Sequence, residues 1–161
     1  MSDILAKISS YNVFNYLFPG AVFAFVCERL DLFKIGTDNL VLVLFVYYFV
    51  GLTISRVGSV VLEPLLDWTG LVKFAPYSDF VRAEEKDPKL QILVEVSNTY
   101  RTLTAMFLCL LGVYFGQKLV ELFSIYRSAL EALGVVALFV LYLLSYRKQS
   151  AYIKRRIEHH K

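Results

Sequence analysis

Residues 39–64 read NLVLVLFVYYFVGLTISRVGSVVLEP, and the place of Arg56 in this stretch decides the fold. Roughly 17 uncharged residues separate Asp38 from Arg56, about 25 Å of helix at 1.5 Å per residue. The hydrocarbon core of a bilayer is about 30 Å thick. A helix that enters lipid near Asn39 therefore leaves it near Arg56. Arg56 then has two readings. It is an interfacial arginine that snorkels to the headgroups, or a cation that faces the bundle interior, pairing with a carboxylate or lining a pore. Glu63 shares its helical face but lies two turns away, too far for contact within one helix. A pair would need another helix or another subunit.

The rest of the chain repeats the pattern. It has 161 residues, 57% hydrophobic and 19% charged, and the charges collect between and after long uncharged runs. That is the pattern of a polytopic membrane protein, not of a soluble domain. Four transmembrane helices are expected, at about residues 8–27, 39–58, 102–121 and 129–146, in a single membrane domain of residues 1–161. The fold class is all-α, with helical extensions into the cytoplasm from residues 63–101 and from the tail 147–161. The first run lacks a basic leader and a small-residue cleavage site, so it reads as a span and not as a cleaved signal. Pro19-Gly20 kinks or interrupts it. The connection from Arg56 to Arg101 and the tail are both basic, and they lie on one side, so both termini are placed in the cytoplasm. Cys27 and Cys109 fall at different depths and are expected to be buried thiols.

Several residues stand out within this frame. Gly51, Ser55 and Ser59 are spaced by four, a row of small residues that lets another helix approach, within the chain or between chains. Asn12 and Asn15 are placed to hydrogen-bond across helices. Ser78 reads as the N-cap of a short helix with Asp79 in its first turn. Asp87-Pro88 reads as the start of a helix that continues unbroken into the third span. Leu90 and Val94 lie on an apolar strip of that extension, and Leu93 beside them. Packing the tail against this strip would bury both. Lys148, Lys154, Arg155 and Arg156 make the tail basic, suited to anionic lipid or to an acidic partner. His159 and His160 lack metal-ligand spacing. No catalytic, cofactor-binding or metal-binding motif is apparent, and no enzyme activity is expected.

At YNVFNYLFPGAVF, TISRVGSVVLEPLL, FAPYSDFV and NTYRT the chain resembles small four-span membrane proteins of bacterial anti-phage defence islands, the membrane subunits of Kiwa systems among them. The resemblance implies an oligomeric inner-membrane sensor or effector. It implies a soluble cytoplasmic protein partner, with nucleic acid engaged only through that partner. It carries no site residues over. The expected function is thus a homo-oligomeric defence subunit that couples membrane perturbation to the partner. The alternatives are a membrane-depolarising pore and a non-catalytic scaffold.

Overall fold

A computed structural model describes residues 13–33, 36, 38–87, 89–123 and 127–159. Residues 8–12 of the first expected span, with Asn12 among them, lie outside the described residues, as do Pro88 and His160. Among the described residues every regular element is helical. We number them α1 (Phe18–Arg29), α2 (Leu40–Trp68), α3 (Tyr77–Lys86), α4 (Lys89–Phe123) and α5 (Arg127–His159).

Two prolines shape the first two helices in the same way. A wide π-turn, Val13–Leu17, stands just ahead of Pro19, and a second, Gly58–Leu62, stands just ahead of Pro64. Proline donates no hydrogen bond, and its ring crowds the carbonyl one turn back. Widening that turn relieves the crowding without ending the helix. Pro19 therefore sits in a continuous helical path, and neither it nor Pro64 interrupts the chain. The Asn39 side chain caps the start of α2, accepting from Val41 N at 3.0 Å and Leu42 N at 3.3 Å. The helix ends at Trp68, and Gly70 follows with φ of 72°.

Asp87 is the cap that starts α4: its Oδ1 accepts from Lys89 N at 3.0 Å. From there α4 runs 35 residues without a break, and α5 runs 33. Ser78 does not cap α3. Pro76 holds the cap position and Ser78 lies inside the first turn, with Asp79 beside it. The fixed φ of proline suits the entry to a helix, and it displaces the start upstream of the serine.

Three helices are long and apolar enough to cross a membrane: Leu40–Trp68, Lys89–Val120 and Ala129–Glu158. The described part of the first expected span is helical from Val13 to Arg29. It packs along α2, and the two backbones meet at glycines. A Cβ on Gly20 would strike the Tyr47 carbonyl oxygen, and one on Gly51 would strike the Tyr16 carbonyl oxygen. The core joins Ile54 and Leu62 of α2 to Ala105 and Met106 of α4. Cys27 is buried and Cys109 half-buried, both as free thiols. Beyond this core α4 and α5 stand apart from the rest: residues 131–140 are all exposed, as are residues 111–115.

Candidate functional site

The row Gly51, Ser55, Ser59 addresses three helices in turn. Four residues advance a helix by 400°, so each step swings the row by about 40°. Gly51 meets α1, Ser55 meets Thr102 of α4, and Ser59 meets Lys148 of α5. The close approach is made within the chain, and the row spirals past its neighbours.

A polar seam follows from this spiral. Its first level is fully buried and joins Asn15, Ser55 and Thr102. The Thr102 hydroxyl lies 3.0 Å from Asn15 Oδ1, 3.3 Å from Ser55 Oγ and 2.9 Å from the Asn98 carbonyl. One hydroxyl proton serves one acceptor at a time, and of the three partners only the Ser55 hydroxyl has a proton of its own to donate; the two carbonyl oxygens share the Thr102 proton. Replacing Thr102 with the isosteric valine is expected to lower stability by about 1–2 kcal/mol, because buried partners lose their hydrogen bonds. Thermal unfolding in detergent measures this. The same change at Thr104, whose exposed hydroxyl bonds back to Tyr100 O, should cost far less.

The second level is ionic. Glu63 accepts from Arg101 Nη1 of α4 at 2.6 Å and from Lys148 Nζ of α5 at 2.8 Å. Lys148 also donates to Ser59 O at 2.7 Å and Ser59 Oγ at 3.0 Å. The Ser59 carbonyl is free for a reason. In the π-turn Glu63 N–H donates to Gly58 O. The next bond of that register would need the nitrogen of Pro64, which has no proton. Lys148 supplies the missing donor from another helix, and all three of its protons are used. One carboxylate and one proline thus tie α2, α4 and α5 together.

Sequence reasoning singled out Glu63 and Lys148 separately and missed Arg101 and Thr102. Both sit at the first turn of the third apolar run, where a polar pair beside a span end was visible as a signal. Arg56 is not part of this ionic group. Glu63 is taken by two other cations, while Arg56 makes no ion pair or hydrogen bond among the described residues, and its Nε is buried.

The third level clasps α3 to the tail. Tyr77 packs on Tyr152 with ring centroids 5.3 Å apart, and Arg156 Nη1 donates to Glu84 Oε2 at 2.9 Å. Lys148 Nζ stands 5.9 Å above the Tyr152 ring. Burial pushes the Tyr152 hydroxyl above the usual tyrosine range, and the Glu63 charge adds to this, against Arg155 and Arg101. The hydrogen bond to Glu84 raises Arg156 further above the usual arginine range. Val81 of α3 is fully buried, and α3 packs on α4. The apolar strip of α4 is therefore only partly covered: Leu90 and Val94 are half-buried, and Leu93 is 61% exposed. Beyond Lys148, the tail's ring and ionic contacts to other helices go to α3, not to that strip. Lys154 makes a loose exposed pair with Glu158 at 3.8 Å, and Arg155 lines an open cleft with Tyr77, Ser78 and Glu158.

Among the described residues no cluster of three His, Cys, Asp or Glu side chains is placed to hold a metal. Comparison with known proteins identifies no relative: no family, no curated protein and no solved structure matches the chain.

Proposed function

We propose that the chain is a non-catalytic, four-span inner-membrane subunit that transmits a change in the membrane to a soluble cytoplasmic protein. The setting we assign is bacterial anti-phage defence, on the resemblance of its motifs. The observation that carries the reading is the continuity of α4 and α5. Each runs through its apolar part into the polar end without a break, and Glu63 locks both to α2 at the point of exit. A tilt of either span is then felt at the clasp between α3 and the tail, with no flexible joint to absorb it. The first span completes the bundle through the Gly20–Gly51 crossing. Gly134 meets nothing within 4 Å, and assembly with further copies would use such an open glycine. Both termini are placed in the cytoplasm.

Affinity purification from mild detergent tests this. The tagged full-length chain is expected to retain a stoichiometric soluble protein. Deleting Tyr152–Lys161 removes Tyr152 and Arg156 from the clasp and should release that protein. The native mass of the membrane assembly should otherwise stay unchanged. A full-length assembly that never carries a soluble protein would sink the proposal.

A further inference from the structure

Arg56 stands three residues after Thr53 and three before Ser59, and both of those reach α5. Thr53 Oγ1 lies 3.1 Å from the Tyr142 hydroxyl, and Ser59 binds Lys148. Residues spaced by three share a helix side, so Arg56 faces the crevice between α2 and α5. It sits at the end of the apolar run, level with the change from the buried seam to the ionic group. It is partly buried, and its Nε is fully enclosed without a hydrogen-bond acceptor among the described residues. The local charge does not balance: Glu63 is paired with Arg101 and Lys148, and Arg56 beside them has no carboxylate partner among the described residues. A half-buried guanidinium without an anion is costly, and at the boundary of a bilayer the anion at hand is a lipid phosphate.

We propose that Arg56 holds the phosphate of an anionic lipid in the crevice between α2 and α5. The planar fork of N–H donors matches a phosphate group better than an ammonium would. The surroundings favour a lipid over a free phosphate. Toward the apolar part, the same side of α2 carries Phe49, 51% exposed, which stacks on Tyr142 of α5 with ring centroids 6.2 Å apart, and exposed Leu138 follows one turn along that side of α5. An acyl chain can lie along these while its headgroup meets Arg56. The lipid would wedge α2 against α5, so headgroup composition would set how firmly the two helices are joined. The inference rests on the bilayer placement proposed above and not on the soluble partner.

The full-length protein, delipidated into a zwitterionic detergent, is given phosphatidylglycerol, phosphatidylcholine or inorganic phosphate. Phosphatidylglycerol is expected to raise the unfolding midpoint by about 5 °C. Arg56→Gln should lose most of that shift, and exchange of the exposed Arg147 for glutamine should keep it. Inorganic phosphate should give none. A full shift in Arg56→Gln overturns the proposal, and so does a shift reproduced by inorganic phosphate, which would mean a free-anion site. Should Arg56→Gln fail to fold, native mass spectrometry of the unaltered protein decides. Equal retention of phosphatidylcholine and phosphatidylglycerol overturns the proposal, and preferential retention of phosphatidylglycerol supports it. A chain that stays in solution without detergent would overturn the bilayer placement itself.

Discussion

Gly51→Ala is expected to cost about 3 kcal/mol or more, lowering the unfolding midpoint in detergent by roughly 10 °C. A single methyl group produces this because of what it meets. The added Cβ would overlap the Tyr16 carbonyl oxygen and press on the backbone nitrogen of Gly20. Backbone atoms cannot swing aside as the end of a side chain can. Relief would require α1 and α2 to separate along their whole contact, which also opens the buried group around Ser55 and Asn15. Gly20→Ala, which would strike the Tyr47 carbonyl, should do the same. Gly112→Ala is the matched control. Nothing lies within 4 Å of that position, and alanine is the better helix former by about 1 kcal/mol. Its midpoint should hold or rise slightly. Equal losses at Gly51 and Gly112 would mean that the glycine crossing does not hold α1 to α2.

What was legible in the sequence was what local physics fixes. The apolar run before Arg56 marked α2, because length and lack of charge alone decide whether a helix can lie in lipid. Asp87 marked the start of α4, because a cap is made with backbone only two residues away. Ser78 misled for the same local reason: it is a good cap residue, but Pro76 sets the helix entry first. The polar seam was harder to read. Thr102, Arg101 and Lys148 look like ordinary span-end residues until the helices are placed side by side. The consequence of Pro64 was also half-visible. Its missing proton could be read from the sequence, while the donor that replaces it comes from a helix 84 residues later in the chain, which only the packing reveals.

The largest electrostatic effect is expected at Glu63. Glu63→Gln keeps the shape but leaves Arg101 and Lys148 without their anion, in a site where the three side chains are 17%, 23% and 27% exposed. Breaking a fully buried pair costs several kcal/mol, and this degree of exposure reduces that to about 2 kcal/mol. Lys148→Met should cost a similar amount, for a different sum of reasons. It removes one partner of Glu63, and it also strips the Ser59 carbonyl of the donor that replaces the proton Pro64 lacks. The double variant separates these parts. The part that Glu63 and Lys148 contribute through their mutual bond should make the two losses overlap by about 1 kcal/mol or more, with the rest adding as the lost Arg101 bond and the cost of the bare carbonyl. A double variant whose loss equals the plain sum would mean that the ion pair contributes nothing. Replacing Pro64 with alanine then tests the carbonyl term directly. A proton at position 64 can bond back within the helix, so the penalty of Lys148→Met should shrink in that background. An unchanged penalty would show that Lys148 holds α5 to α2 through Glu63 and the Ser59 hydroxyl, and that the proline has no part in the coupling of the two helices.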